Sequence, residues 1–373
     1  MSRVNLVSPF LYIGPGAGTN SAGLFSEFGL QGIKGSSTNG EYLITGTSGK
    51  QGVIYNGPIN HAMSRRGSGS GTWTVMNVPR SFNASGTSIY GVANLGGSGG
   101  AQNVNLVGSY TSNQVDSSGS NPRIGFYYTG PITSNPQAKA FKSYQAEDPI
   151  SKKKATFTYI HSVDGGLAVG NYDFLGDGNP AGKPFIYDPV TGTQTGINYG
   201  SGGLTNTAYG IWHNSGLSYT IAGGEGINGG RLGDNLYGEP LGKGTLIDYN
   251  KQTGTFSNYA SFSFTNRSLL PKTMRDKVQS ETLVTHFEGI WSDGKGTYKL
   301  PATISTTDGK LGVAGIATVK RTASGKFGPA TWTVLDVPGS ALATNDSIFA
   351  GASLGAAIDV NTPGASTWAG LVV

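Results

Sequence analysis

Two ionisable side chains stand two residues apart in the run Thr285-His-Phe-Glu-Gly-Ile-Trp, namely His286 and Glu288. Alternate residues of an extended strand share a face. The pair would therefore set an imidazole and a carboxylate against one ligand, with Glu288 as acid or base and His286 as its partner. A plainer role is also open to them, that of satisfying backbone groups between neighbouring sheets. Aromatic hydroxyls recur in related runs: Tyr90 in Ser88-Ile-Tyr-Gly-Val-Ala, Tyr159 in Phe157-Thr-Tyr-Ile-His-Ser and Tyr209 in Thr207-Ala-Tyr-Gly-Ile-Trp. Gln31 takes that place in Gly29-Leu-Gln-Gly-Ile-Lys, and Phe349 in Ser347-Ile-Phe-Ala-Gly-Ala. His161 and His213 end two of these runs just before glycine-containing turns, where a histidine can reach a ligand.

These six runs read as the first elements of a repeated four-part unit. Four of the six carry Gly followed by Ile or Val at one place. Second apolar runs follow several of them across short polar turns, as in Val104-Asn-Leu-Val-Gly, which predicts hairpins. Third elements resemble one another most: Val53-Ile-Tyr-Asn-Gly-Pro, Phe126-Tyr-Tyr-Thr-Gly-Pro and Phe185-Ile-Tyr-Asp-Pro. Fourth elements include Thr72-Trp-Thr-Val-Met-Asn-Val-Pro and its near twin Thr331-Trp-Thr-Val-Leu-Asp-Val-Pro. With positions 31, 90, 159, 209, 288 and 349 as anchors, the units are 59, 69, 50, 79 and 61 residues apart.

After Ser347 only Thr367-Trp-Ala-Gly-Leu-Val-Val reads as a further strand, two short of a unit. Pro9-Phe-Leu-Tyr-Ile-Gly-Pro fits the third-element pattern, and Gly23-Leu-Phe-Ser-Glu-Phe can serve as the fourth. The expected fold is thus all-β: a six-bladed β-propeller of four-stranded antiparallel blades forming one domain over residues 1–373. Strands from both chain termini would close its last blade, which leaves no open sheet edge. An irregular β-sandwich and a parallel β-helix are the competing folds.

Through these first strands and the Tyr-x-Gly-Pro third strands, the chain resembles the β-propeller superfamily over nearly its whole length. It carries no Trp-Asp repeat, kelch double glycine, Asp-box series or fucose-lectin set, so no family's functional residues transfer to it. The resemblance implies a ligand site at one mouth of a central channel lined by first strands. Fold alone does not give the role, because propellers host hydrolases, lyases, lectins and scaffolds.

Composition agrees with many short strands joined by tight turns. The 61 glycines are about 16 per cent of the chain, more than twice the usual share. Only 269–284 approaches a helical pattern, so one short helix is expected. No cysteine is present, which excludes disulfides, thiolate metal sites and a cysteine nucleophile. That absence suits a secreted or periplasmic protein, the favoured location, as well as a cytoplasmic one. No apolar run is long enough to span a membrane, and the first residues lack the apolar core of a signal peptide.

A net charge of +5 spread along the chain argues for solubility and against nucleic-acid binding. Lys152-Lys153-Lys154 and Arg65-Arg66 read as solvated loops. Asp173, Asp177 and Asn179 resemble a calcium loop in composition without its downstream glutamate, so a long turn competes with calcium there and no other cofactor is expected. The four histidines show no zinc-type spacing. The functional reading is a monomer with one polar, aromatic-lined site that acts on or binds a small molecule or glycan. His286 and Glu288 would be its acid–base pair, and Gln31, Tyr90, Tyr159, His161, Tyr209 and His213 its ligand-binding residues. A non-catalytic carbohydrate-binding or protein-interaction module is the alternative.

Overall fold

A computed structural model describes residues 2–5, 7–13, 28–59, 71–97, 102–116, 119–175, 183–199, 206–226, 242–277, 283–306, 311–337, 340–359 and 365–372. The protein is all-β. Its one described α-helix is the six-residue Lys272–Lys277, inside the segment expected to supply it. Among the described residues no helix is long and apolar enough to cross a membrane.

Antiparallel meanders of four strands repeat along the chain. The first comprises Phe28–Gly35, Tyr42–Ser48, Gln51–Gly57 and Thr72–Val75. The second comprises Ala84–Gly96, Asn103–Ser112, Arg123–Pro131 and Phe141–Tyr144, and the third Phe157–Asp164, Leu167–Asp173, Lys183–Asp188 and Thr193–Gly196. One parallel pair, Phe157 with Arg123, joins the second meander to the third. The fourth comprises Asn206–Ser215, Ser218–Glu225, Lys243–Asn250 and Thr255–Phe262. In the fifth, Leu283–Phe287 and Trp291–Ser292 form a broken first strand on Thr297–Thr306, followed by Gly312–Lys320 and Thr331–Asp336.

The last sheet draws on both ends of the chain. Ser340–Ala343 and Ser347–Phe349 both pair with Ala352–Asp359, which pairs with Ala365–Leu371. Val7–Ile13 then adds to Ala365–Leu371, with Tyr12 opposite Trp368. The strand assignment therefore moves by one place. The Trp368 strand is third in its sheet, not second, and the Phe10 strand is fourth, not third. Ala352–Asp359 was the unseen strand, because its small residues give little alternating signal. The proposed fourth strand at 23–28 falls mainly outside the described residues. An unexpected strand, Ser2–Asn5, lies parallel to Thr331–Asp336.

Apolar clusters fill the spaces between successive sheets. Between the first and second sheets lie Leu43, Ile54, Met76, Val92 and Leu106. Leu167, Ile186, Ile211, Tyr219 and Ile247 do the same between the third and fourth.

First strands meet around a common axis through their small residues. A Cβ on Gly32 would lie 2.5 Å from the carbonyl oxygen of Tyr90, and one on Gly91 2.6 Å from that of His161. One on Gly210 would lie 2.7 Å from the backbone of Gly289, and one on Gly289 3.8 Å from Ser347. Where serine replaces glycine its hydroxyl bridges to a neighbouring first strand: Ser162 Oγ accepts from the Ile211 amide at 3.4 Å, and Ser347 Oγ from the Ile33 amide at 3.2 Å. These contacts lead from Gly32 to Ser347, whose hydroxyl returns to the Ile33 amide. Side chains larger than serine would force the backbones apart.

Gly91→Val sets methyl groups against the His161 carbonyl and against Val107 Cγ2, 2.9 Å from the new Cβ. A loss of about 1–3 kcal/mol is expected, the range for overpacking, read as a fall in Tm. Gly196→Ala, with nothing within 4 Å of the new Cβ, serves as the control. Equal Tm values for the two variants would contradict the tight ring.

Candidate functional site

The residue before each small one faces the axis. Gln31, Tyr90, His161, Tyr209, Glu288 and Asp346 line one central cavity of about 30 Å³. In the first four sheets this residue is a β-bulge: pairing skips from Leu30 to Gly32, Ile89 to Gly91, Ile160 to Ser162 and Ala208 to Gly210. A bulge leaves its extra residue out of the ladder and re-aims its side chain. In the last two sheets the first strand is interrupted outright, between Phe287 and Trp291 and between Ala343 and Ser347.

This register assigns the axial place in the third sheet to His161 rather than Tyr159, and in the sixth to Asp346 rather than Phe349. The anchors at 159 and 349 were two and three residues out of step. Asp346 was missed altogether as a site residue. The usable signal was a small residue followed by Ile or Val, with serine accepted beside glycine: His161-Ser-Val and Asp346-Ser-Ile join Gln31-Gly-Ile and Glu288-Gly-Ile.

Aromatic rings stack along the wall. The Tyr90 ring lies 5.3 Å from His161, His161 lies 4.5 Å edge-on to Tyr209, and Tyr209 lies 6.0 Å from His286. Tyr159 packs one step away, 6.1 Å from His161 and 6.3 Å from Tyr90. The Tyr90 hydroxyl shares a 2.9 Å hydrogen bond with Ser109 and accepts one from Arg123 Nη1 at 3.3 Å. His213 stands apart, its amide donating to Asp164 and its Nε2 set against the Gly216 carbonyl. Trp212 and Trp291 pack edge-on to each other at 6.4 Å, with the Lys34 ammonium 4.8 Å over Trp212. Asp177 and Asn179 lie outside the described residues, so the acidic turn beginning at Asp173 is described only in part.

His286 Nε2 hydrogen-bonds Glu288 Oε1, and Thr303 Oγ1 donates to that oxygen at 3.3 Å. Both side chains are largely shielded, at 14% and 17% exposure, so their charges are weakly screened. His286 Nδ1 is buried without a hydrogen-bond partner among the described residues, an orphan polar atom.

Environment separates the protonation states of the cluster. Burial acts to lower the His286 imidazolium, but the charge and hydrogen bond of Glu288, with Asp346 adding to them, outweigh it and hold His286 above its ordinary value. His161 goes the other way: burial pushes it down to about 4, against the pull of Glu288. The Asp346 carboxyl is raised to about 7 by burial and by the Glu288 charge, with Thr344 and His286 opposing. Burial, then Glu288, also pushes the Tyr209 hydroxyl up. At neutral pH the cavity thus holds an uncharged imidazole at His161 and a carboxyl near its midpoint at Asp346, beside a His286 held above its ordinary value. Separated protonation states of this kind are what acid–base work requires.

A carboxyl whose folded value exceeds its ordinary 3.8 favours folding when protonated. Its contribution is complete below about pH 4 and is lost as pH rises through 7. Asp346→Asn cannot ionise, so it should match wild type in Tm at pH 4 and exceed it at pH 8, each unit of displacement being worth about 1.4 kcal/mol. Parallel Tm–pH curves for the two proteins would contradict this placement of Asp346.

No protein-family model matches the chain, and no curated protein matches it. Among solved structures it is similar to a PL25 polysaccharide lyase, an ulvan lyase bound to -[GlcA(1-4)Rha3S]-. There the TM-score is 0.43 and identity 11%, over 94% of this chain and 84% of that one. TolB from Acinetobacter baumannii matches with a TM-score of 0.34 and 10% identity, over 84% of this chain and 59% of that one. A mutant of the GH43 protein BlXynB from Bacillus licheniformis matches with a TM-score of 0.36 and 12% identity, over 83% and 58%. Likeness at this level carries no argument about function.

Proposed function

We propose that residues 1–373 form one six-bladed β-propeller of four-stranded blades, closed by strands from both termini. Its axis carries a single acid–base site for a small polar molecule or glycan. The carrying observation is the asymmetry of the axial positions. Six equivalent places hold Gln31, Tyr90, His161, Tyr209, Glu288 and Asp346. A multivalent binder would repeat one side chain around the ring; here the two carboxyl groups, Glu288 and Asp346, stand in successive sheets.

In this reading Asp346 gives or takes the proton near neutral pH, Glu288 is its charged counterpart, and His286 holds Glu288 in place. Uncharged His161 offers a hydrogen-bond acceptor, and Tyr90, Tyr159 and Tyr209 form an aromatic wall. A cavity of about 30 Å³ has room for about two waters. Only the reacting group of a substrate enters it, and the remainder lies outside the axial ring.

That small volume is also the observation favouring a second reading, a binding module whose axial cluster is a water-filled structural centre. The two part on one experiment. Wild type, Glu288→Gln and Asp346→Asn are screened for turnover of oligosaccharides and small polar esters, and for binding of the same compounds. The acid–base reading expects each variant to bind normally but turn over about a hundredfold more slowly or worse, with the wild-type rate following an ionisation near pH 7. Binding without turnover in wild type would favour the module, and full activity in either variant would remove that residue from the mechanism.

A further inference from the structure

A second cavity lies between the first and second sheets and shares no lining residue with the axial one. Its volume is about 190 Å³, and Lys50, Ser85, Thr87, Ser88, Thr111 and Arg123 supply its side-chain lining. Lys50 sits in the turn joining Tyr42–Ser48 to Gln51–Gly57, and Arg123 opens the strand Arg123–Pro131. The lining contains two cations, four hydroxyls and no acidic side chain.

Arg123 is half-buried, yet among the described residues its guanidinium meets no carboxylate. Its Nη1 donates to the Tyr90 hydroxyl at 3.3 Å and to Ser109 Oγ at 3.4 Å, and it lies 5.9 Å from the centre of the Tyr159 ring. Neutral partners offset the desolvation of a cation only in part. They do fix the direction of the fork, leaving the rest of it free for a planar or tetrahedral oxyanion. Lys50 is exposed and adds a more screened charge from the opposite wall.

We infer that this cavity binds an oxyanion, a carboxylate, sulfate or phosphate, carried by a ligand no larger than a monosaccharide. Arg123 is the fork that holds it, and Lys50 and the hydroxyls of Ser88 and Thr111 complete the contacts. The inference stands on this cavity's own lining and does not depend on chemistry at the axis.

Calorimetric titration at low salt tests it, with inorganic phosphate, sulfate, glucuronate and uncharged glucose as probes. At least one anion is expected to bind and glucose is not. Arg123→Gln should weaken the anion about tenfold, the scale of one hydrogen-bonded charge contact, while Glu288→Gln leaves it unchanged. Lys50→Gln alters only an exposed side chain and keeps the test valid should Arg123→Gln fold poorly; it should weaken binding by a smaller factor that shrinks with added salt. Preference for glucuronate assigns a sugar-borne carboxylate, and preference for phosphate or sulfate a free or ester oxyanion. No anion binding by wild type, or equal affinity in wild type, Arg123→Gln and Lys50→Gln, would overturn the assignment. So would binding lost in Glu288→Gln alone, which would move the anion to the axis.

Discussion

Neighbouring first strands approach one another too closely at one place for a side chain larger than serine, and the rest of the molecule follows from that crowding. Gly32, Gly91, Ser162, Gly210, Gly289 and Ser347 occupy the points of closest approach. Beside each of them the first strand bulges or breaks. The extra residue so released turns toward the axis. The same steric demand repeats one strand outward: a Cβ on Gly108, Gly170 or Gly223 would lie about 2 Å from the carbonyl of Ser88, Tyr159 or Thr207, two places before the axial residue. In the fifth sheet Ala302 takes that place opposite Phe287, and Thr303 beside it stands opposite His286, with its hydroxyl reaching Glu288.

Electrostatics in the cavity are a consequence of the same geometry. The cluster lies in a space with little solvent, so burial is the first influence on His161, Tyr209, His286 and Asp346 alike. It acts in opposite directions on acids and bases. Glu288 acts on all four: its charge and hydrogen bond hold His286 up, its charge adds to burial at Asp346 and Tyr209, and burial outweighs it at His161.

Much of this was legible in the residues, and the losses have definite causes. The repeat, the paucity of helix and the pairing of the two chain ends all show in runs of β-branched and aromatic residues between glycine turns. Registration failed where serine stood in for glycine. Phe157-Thr-Tyr-Ile-His-Ser was anchored on its tyrosine and Ser347-Ile-Phe on its phenylalanine, because an aromatic residue looked more like the other copies than a histidine or aspartate did. Asp346 was lost with that register. Ala352–Asp359 was lost because alanine, serine and glycine alternate without contrast in hydropathy. Arg123 was invisible for another reason: its cavity is formed by two sheets, and no spacing along one strand reports it.

Pairing of Val7–Ile13 with Ala365–Leu371 bears on how the molecule comes into being. During synthesis the early sheets can fold as local hairpins, whose contacts are close in sequence and quick to form. The axial ring cannot: Gln31 emerges early and Asp346 late, and the sheet carrying Asp346 waits for both ends to meet. Bringing such distant segments together costs about 5 kcal/mol of chain entropy by the logarithmic loop-closure law. The nascent chain therefore carries an incomplete cluster, and all six axial residues come together only as the final strand docks.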